Sequence, residues 1–395
     1  MGFFTNMLLA AGVRRYDRHA NHISSNWFGS LPEEGRCILC GGTDDREFSN
    51  ARQIKWNAFS SRLENAARKG LPTLCLYSSA LPPEGPDSTI QQLCRQYPDK
   101  TVQLGRDIGY LPFDCNVDAA DAMRILSGPV RVYAQETQAS SDAILSFLQT
   151  MLRLLHEYWP PKMFTFANLD AMMQSFAKNA VGFLSFLPPD AVEQAEHSLN
   201  LSWSTSVDAF WNKFRSQCAV LSPTGVRRRS LYSCLADRKL CVLRLFPAGQ
   251  ELLTAALLGE IEVFQSRGCN FCLIDYDIPC RIPETSPLLQ TAPGQMFFIG
   301  STFRALGLEN RAILHPTLCC LGVSAQDASA IFKMFSVCGI VHHVTIGLGH
   351  HAAFTFAGVQ EPPIPPDRLL TANIPDGSAL ILSENGAKFI TLLFS

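Results

Sequence analysis

A short loop near the start of the chain has the residue spacing of a phosphate-binding loop. Gly42 and Ser49 are seven positions apart, like the first glycine and the final hydroxyl residue of the motif G-x4-G-K-S/T. In that motif, backbone N–H groups, a helix N-terminus and a lysine hold the phosphates of a nucleotide, and the hydroxyl binds Mg²⁺. The chemistry to consider at Gly42 and Ser49 is therefore the binding of a nucleotide with Mg²⁺.

Two central positions of this loop depart from the motif. Glu47 and Phe48 stand where the motif has glycine and lysine. Phe48 removes the lysine charge, and Glu47 carries a Cβ atom where glycine lets the backbone curl around a phosphate. Asp44 and Asp45 would repel a polyanion, but a helix N-terminus stabilises such carboxylates. We therefore expect a loop that caps its own helix; the alternative is an ordinary βα turn that never bound phosphate.

Nucleic-acid binding, if present, has to come from a local patch. The chain has a net charge of −2 and a pI near 6.5, which argues against a generally basic surface. Arg227, Arg228 and Arg229 form the densest basic cluster and are the candidates for contacts with DNA phosphates. The alternative is that these arginines lie on a solvated linker.

Two kinds of cluster have the residue types of a metal site but unsuitable spacing. The C-x-x-C pairs at 37–40 and 269–272 both fall in predicted strands, where residues three apart face opposite sides. Histidine pairs at 342–343 and 350–351 flank a glycine-rich turn at 347–349, and adjacent residues of a strand also face opposite ways. We predict no metal site, although a hairpin that brings the histidines together stays open.

Composition points to a reduced, intracellular protein. Fourteen cysteines are scattered through apolar runs, as free thiols are in a reducing compartment. No apolar run reaches the ~18 residues of a membrane span. The N-terminal segment carries its charges after its apolar residues, the reverse of a secretory signal. We therefore expect a cytoplasmic protein with no membrane span.

The elements that would position these groups alternate between strand and helix at both ends of the chain. Apolar runs predict strands at 36–41, 72–78, 101–104, 240–246, 269–275 and 295–301, with shorter ones at 312–314, 341–346 and 354–357. Periodic segments predict helices at 50–69, 88–97, 119–126, 251–267 and 324–335, the last with Ser324 as N-cap, and a hairpin is predicted between 378–383 and 387–394.

This pattern predicts three parts. Residues 1–30 form an N-terminal arm, and 31–138 with 221–395 form an α/β domain. Residues 139–220 show only helical spacing and form an inserted all-α domain. The predicted architecture is therefore a mainly parallel sheet, flanked by helices and interrupted in sequence by a helical block.

The order of these segments resembles the motor domain of conjugative coupling proteins, in the FtsK/HerA-like group of P-loop ATPases that translocate DNA. The likeness extends over about residues 30–395 and rests on the segments 36–77, 109–126, 139–220, 230–275 and 318–356. The fourth segment ends in Cys272-Leu-Ile-Asp275, which is similar to the Walker B motif. The resemblance implies a P-loop NTPase-like fold of the RecA/FtsK type, with Gly42 and Ser49 in the Walker A position and Asp275 as a ligand of Mg²⁺.

Departures from the family pattern lie at the residues that would hydrolyse ATP. Glu47 and Phe48 replace the Walker A glycine and lysine, and Tyr276 stands where the family has a catalytic glutamate. Asp277 follows one residue too late for that role. ATP hydrolysis needs phosphate binding, Mg²⁺ and a group that positions water together. We therefore predict that Asp275 is vestigial and that the chain is an inactive pseudo-ATPase without a cofactor.

The predicted role is that of a scaffold or partner-binding subunit in a DNA-transfer, type IV secretion or defence assembly. Its partners would be proteins, including an active homologous ATPase, and DNA contact stays open. Two alternatives remain: a residual ATPase or DNA translocase that uses Ser49 and Asp275 to hold Mg-ATP, and a DNA-binding module without hydrolysis that uses Arg227–Arg229.

Overall fold

The structure is a computed structural model that describes most of the chain. The described residues are 36–42, 50–81, 86–202, 205–223, 225–246, 248–278, 295–304, 306, 316–337, 345–347, 353–355, 378–383 and 386–391. The predicted N-terminal arm at 1–30 and the strand at 312–314 lie outside these residues. The statements below refer to the described part of the chain.

Strands and helices alternate as the sequence pattern predicts. The strands are β1 Arg36–Cys40, β2 Thr73–Ser78, β3 Thr101–Gln103, β4 Gly109–Tyr110, β5 Arg228–Arg229, β6 Leu240–Leu245, β7 Cys272–Tyr276, β8 Gln295–Gly300, β9 Pro316–Cys320, β10 Thr345–Gly347, β11 Ala353–Thr355, β12 Ser378–Ser383 and β13 Gly386–Thr391. The helices are α1 Asn50–Lys69, α2 Pro86–Gln96, α3 Ala119–Thr137, α4 Ser141–Tyr158, α5 Phe166–Lys178, α6 Ala180–Leu184, α7 Pro189–Ser202, α8 Thr205–Val220, α9 Leu231–Ala236, α10 Glu251–Ser266 and α11 Ala325–Val337.

The chain divides into two compact units, and the first is built around β1. It comprises residues 1–65, 274–279 and 295–395. Within it, β1 pairs in parallel with β8 on one side and with β9 on the other. The hairpin β12–β13 continues the sheet beyond β9 in antiparallel pairing, which confirms the predicted closing hairpin. Ser324 caps α11, as predicted, since its hydroxyl accepts the Asp327 N–H at 3.2 Å.

The second unit comprises residues 66–273 and 280–294. Its strands are parallel, in the order β2-β6-β3. All six residues of β2 are buried, which is why this strand reads as a continuous apolar run. The parallel strands of the first and second units, together with their helices, confirm the predicted α/β fold, a mainly parallel sheet flanked by helices.

The helices of the predicted inserted block also lie in the second unit. Helices α4 to α8 occupy residues 141–220, and α4 and α5 begin at the N-caps Ser140 and Thr165. Aromatic rings of α5 and α8 pack in their core, with Phe166 and Trp211 5.3 Å apart between ring centroids. The assignment of this block, the arm and the α/β part to separate domains stays a prediction.

Helix α3 corrects the predicted boundary at residue 126. It continues to Thr137 and passes through Pro129, which a sequence pattern reads as a helix end because proline lacks an N–H and crowds the preceding turn. Close packing of α3 on α10 overrides this preference. A Cβ atom on Gly128 would lie 3.1 Å from the carbonyl oxygen of Ala255, and one on Gly259 would lie 3.0 Å from Ile125 Cα.

Two strand predictions also need correction. Strand β7 begins at Cys272, so Cys269 lies outside it and the second C-x-x-C pair is not carried by one strand. Strand β9, at Pro316–Cys320, was not predicted, because its two cysteines read as part of a scattered apolar run. Its pairing with β1 requires long-range information that local periodicity does not contain.

Candidate functional site

Two glycines lead the chain out of β1 and fix the first part of the candidate phosphate loop. Gly41 and Gly42 have φ angles of +95° and +76°, which favour glycine. The Gly41 N–H donates to the Gly300 carbonyl at 3.2 Å, and the Gly42 N–H donates to the Gly322 carbonyl at 2.7 Å. These amides are therefore bonded to the last residue of β8 and to the segment that follows β9.

Close packing gives a second reason for both glycines. A Cβ atom on Gly41 would lie 2.2 Å from the Gly322 oxygen, and one on Gly42 would lie 2.2 Å from Ala51 Cβ. Gly42 is thus required by its contact with the first turn of α1, whether or not a phosphate binds. Ser49 and the substituted positions at 44–48 lie outside the described residues, so the predicted self-capping of this loop stays a prediction.

Asp275 is the last residue but one of β7, which ends at Tyr276, one residue beyond the predicted end. It is fully buried, and its Oδ1 accepts the backbone N–H of Ile278 at 2.9 Å. This bond ties the carboxylate to the turn that follows the strand. The neighbouring Tyr276 is also buried, and its ring lies 5.3 Å from that of Phe59 on α1, measured between centroids. The position where the resemblance implies a catalytic glutamate therefore holds an aromatic residue that packs against α1.

Asp277 has a structural role that the sequence did not reveal. Its φ angle is +56°, and its N–H donates to the Ile299 carbonyl at 2.8 Å. Its Oδ1 accepts the Ser301 N–H at 2.8 Å, and its Oδ2 accepts the Ser301 hydroxyl at 3.0 Å. Both carboxylate oxygens therefore bind the end of β8. Asp277 and Ser301 meet because β7 and β8 are neighbours in the sheet, which the sequence alone does not show.

Two cations on the buried face of α1 were also missed. Lys55 is fully buried, and Arg62 is 7% exposed with its guanidinium 5.1 Å from the ring centroid of Phe297. They are seven residues apart and follow the same helical stripe as Ile54 and Phe59. The sequence contained a sign of their burial, because both residues occupy positions of the apolar stripe that faces the core. Sequence analysis overlooked it because a buried cation is costly unless it is paired, which favours the reading of lysine and arginine as exposed.

The three arginines of the basic cluster have different surroundings in the second unit. Arg229 binds Asp237 at 2.7 Å and the Ser233 carbonyl at 3.3 Å, so its guanidinium is engaged within the protein. Arg227 and Arg228 are exposed. The cluster lies where β5 pairs with β4. Two of the three predicted phosphate contacts thus remain accessible in the described part of the chain.

Most of the described cysteines are buried as core residues are, whereas Cys115 is exposed and Cys94 and Cys269 are half-buried. Burial raises the pKa of Cys37 to about 12. A hydrogen bond with Cys320, together with burial, raises the pKa of Cys40 well above its ordinary value. Since the thiolate is the form that binds metal, both side chains are poor ligands at neutral pH. Among the described residues, no group of three or more metal-binding side chains is found, and the histidine pairs at 342–343 and 350–351 lie outside them.

Comparison of sequences finds no match, whereas comparison of structures finds proteins of similar fold. No family model matches the chain, and no curated protein matches it. A bacterial conjugative coupling protein, TrwBdeltaN70 in its unbound form, matches with a TM-score of 0.50 over 95% of this chain and 94% of its own, at 13% sequence identity. The chain has the fold of a conjugative coupling protein. At this identity, the likeness concerns the fold alone.

A second solved structure is similar over most of the chain. VirB4 of Thermoanaerobacter pseudethanolicus matches with a TM-score of 0.47 and 11% identity, over 91% of this chain and 89% of its own. Separately, the helices of the described residues are all too short or too polar to cross a membrane. The coupling-protein fold is the frame for the proposal that follows.

Proposed function

We propose that this protein is a non-hydrolysing member of the coupling-protein fold that acts by binding partner proteins. The observation that carries the proposal is the engagement of the carboxylates at the end of β7. Asp277 binds Ser301 through both oxygens, and Asp275 is buried and accepts the Ile278 N–H. Groups held in this way are occupied in maintaining the residues that follow β7 and their contact with the end of β8.

The substitutions in the sequence support the same proposal. Hydrolysis of ATP needs a phosphate cradle, Mg²⁺ and a group that positions water. Phe48 stands in the place of the cradle's lysine, and the buried Tyr276 stands in the place of the base. Each change alone would slow a phosphoryl transfer, and together they affect two of the three requirements.

A protein of this fold that has lost catalysis still has the surfaces through which it can bind other proteins. Its surfaces would bind protein partners, including an active ATPase of the same fold, in a DNA-transfer, secretion or defence assembly. The comparison with a conjugative coupling protein supports this setting because 95% of the chain has its counterpart in that structure. The competing proposal is a residual ATPase in which Ser49 and Asp275 hold Mg-ATP.

Calorimetric titration with Mg-ATP, in the presence and absence of DNA, separates these two proposals. We expect no saturable heat at millimolar nucleotide. Saturable binding that disappears in Asp275→Asn would overturn the proposal and favour the residual ATPase. Asp237→Asn, which changes the same charge at an exposed ion pair of the second unit, is the matched control.

A restored loop tests whether the substitutions themselves prevent binding. The double variant Glu47→Gly with Phe48→Lys recreates the glycine and the lysine of the motif. We expect this variant to bind Mg-ATP saturably when the parent does not. Glu47→Gly with Phe48→Met is the control, because methionine has nearly the length of lysine without its charge. Equal binding by both variants would show that the lysine charge is not what the chain lacks.

DNA binding without hydrolysis is a second candidate, favoured by the exposure of Arg227 and Arg228. Neutralising both to glutamine should weaken binding of single-stranded DNA and lower the slope of log affinity against log salt by about 1.4. The control neutralises Arg131 and Arg153, two exposed arginines on helices α3 and α4. Equal effects of both double variants would remove the cluster from consideration.

A further inference from the structure

A polar cavity lies at the carboxyl ends of the parallel strands of the second unit. Its volume is about 190 Å³. Its polar lining consists of Tyr77, Asp87, Gln91, Gln103, Arg106 and Arg244. None of these residues belongs to the candidate nucleotide site around Gly42 and Asp275, which lies in the first unit.

Strand register explains why these side chains meet. Tyr77 on β2 is the direct partner of Arg244 on β6, each one residue before the end of its strand. Gln103 is the last residue of β3, which pairs with β6 on its other side. The carboxyl ends of parallel strands lie at one edge of a sheet, and this edge is where α/β folds hold their ligands.

Asp87 holds one side of the cavity in a fixed arrangement. Its Oδ1 accepts the Tyr77 hydroxyl at 2.8 Å, and its Oδ2 accepts Arg244 Nη1 at 3.2 Å. Arg244 Nη2 also donates to the Ser79 carbonyl at 3.3 Å. Burial raises the pKa of Tyr77 above its ordinary value, so this hydroxyl stays a donor to Asp87. The guanidinium of Arg244 is thus oriented before any ligand arrives, which reduces the ordering cost of binding.

The other side of the cavity offers hydrogen-bond donors. Arg106 Nη1 donates to Gln103 Oε1 at 3.3 Å, which is the polar contact of this guanidinium within the described residues. An arginine has five N–H donors, so most of those of Arg106 are available to a ligand. Gln91, on α2, makes no side-chain hydrogen bond to the described residues and adds an amide. Two arginines and one aspartate give the lining a net positive charge.

We propose that this cavity binds a phosphate group, either as free phosphate or as the terminal phosphate of a nucleotide. Its donors come from the turn after β3, from β6 and from α2, and a tetrahedral phosphate has oxygens for donors that approach from three directions. The guanidinium fork suits phosphate oxygens in particular. The cavity is smaller than the roughly 300–1,000 Å³ of sites that enclose a drug-sized ligand, so the rest of a nucleotide would lie outside it. This proposal does not depend on the absence of hydrolysis in the first unit.

Titration of the whole chain with inorganic phosphate, at constant ionic strength and without Mg²⁺, tests the proposal. We expect saturable binding at one site, weakened about tenfold in Arg106→Gln through the loss of a charge-assisted contact. Arg106 is exposed, so this change should leave the fold intact. Arg131→Gln is the matched control, with the same loss of charge at an exposed position of α3, and should bind like the parent.

A substitution of opposite sign makes the test sharper. Asp87→Asn keeps an acceptor for the Tyr77 hydroxyl, loses the acceptor for Arg244 Nη1, and removes the negative charge of the lining. Because removal of that charge outweighs the cost of ordering Arg244, phosphate should bind several-fold more tightly. Absence of saturable binding by the parent, or binding by Arg106→Gln equal to that of the parent, would overturn the assignment. Weaker binding in both Arg106→Gln and Asp87→Asn would also overturn it, because both changes would then act by distorting the cavity.

A comparison of AMP with adenosine identifies the source of the phosphate. If AMP binds more tightly than inorganic phosphate and adenosine does not bind, the ligand is the terminal phosphate of a nucleotide. If AMP binds no more tightly than phosphate, free phosphate is the ligand. Adenosine binding as tight as that of AMP would show that the base and sugar are recognised, and would overturn the phosphate assignment.

Discussion

The buried carboxyl group of Glu260 allows a quantitative test of how the second unit is held together. Glu260 lies on α10 and is fully buried. Its Oε1 accepts the Tyr110 hydroxyl at 2.7 Å, and its Oε2 accepts the Tyr232 N–H at 2.7 Å. One side chain thus satisfies donors from β4 and α9. Burial is the main reason why the pKa of Glu260 lies well above its ordinary value.

The structure predicts very different results for two substitutions of this residue. Glu260→Gln keeps an oxygen for the Tyr232 N–H and can donate to the Tyr110 oxygen, as the protonated acid can, so its effect on stability at pH 4.5 should be small. Glu260→Ala leaves two buried donors without an acceptor, at about 1–3 kcal/mol each. It also loses the burial of one methylene group, at about 0.8 kcal/mol. We expect the alanine variant to be destabilised by about 3–7 kcal/mol.

The raised pKa also predicts the direction of the pH dependence. Below the ordinary value of 4.5, the carboxyl group is protonated in both the folded and unfolded states, and its contribution is fully present. As the pH rises above 4.5, the unfolded state loses this proton first, so stability falls by about 1.4 kcal/mol per pH unit until the folded-state pKa is reached. Glu260→Gln removes this loss and should therefore be more stable than the parent at pH 8.

Urea denaturation at pH 4.5 and pH 8 measures these differences. Glu251→Gln is the control, because it removes a half-buried carboxylate from the start of the same helix and keeps an acceptor for the Gly249 N–H. The reasoning would be refuted if Glu260→Gln were as unstable as Glu260→Ala, since the ionised group itself would then be required. An equal pH dependence in the parent and in Glu260→Gln would also refute it.

Two further predictions concern the first unit. Gly41→Ala should destabilise the protein by at least about 3 kcal/mol, because its Cβ would meet the Gly322 oxygen at 2.2 Å; Gly268→Ala, with φ +75° and open space around it, should cost only about 1 kcal/mol. Asp277→Ala should cost about 2–3 kcal/mol in thermal unfolding through the loss of its two bonds to Ser301, whereas Asp277→Asn keeps an acceptor and tolerates the positive φ. Equal costs within either pair would contradict the assigned contacts.

Much of the fold could be predicted from sequence because its elements have clear local signals. The bounds of α1 agree at both ends, and Ser324 was identified as an N-cap from its type and position. Strands such as β2, buried on both faces, read as continuous apolar runs. The passage of α3 through Pro129 could not be predicted, since it depends on how tightly α10 packs against it.

The candidate site was predictable in position but not in its contacts. Asp275 could be placed at a strand end because a run of apolar residues precedes it. The bonds between Asp277 and Ser301 join residues 24 positions apart, and only the neighbouring positions of β7 and β8 bring them together. At Lys55, which is fully buried, the apolar stripe of the helix indicated a buried position, whereas the charge of the lysine suggested an exposed one.

The pairing of β4 with β5 has a consequence for how the helical part of the second unit can change. The Gly109 N–H donates to the Arg227 carbonyl at 2.9 Å, and the Tyr110 N–H donates to the Leu221 carbonyl at 2.8 Å. Backbone hydrogen bonds therefore hold the segment before the helical block next to the segment after it. Loop-closure entropy grows only slowly with loop length, so two segments held together in this way tolerate a longer or shorter chain between them. A reporter domain inserted between two of the helices α4 to α8 should therefore leave the pairing of β4 with β5 unchanged.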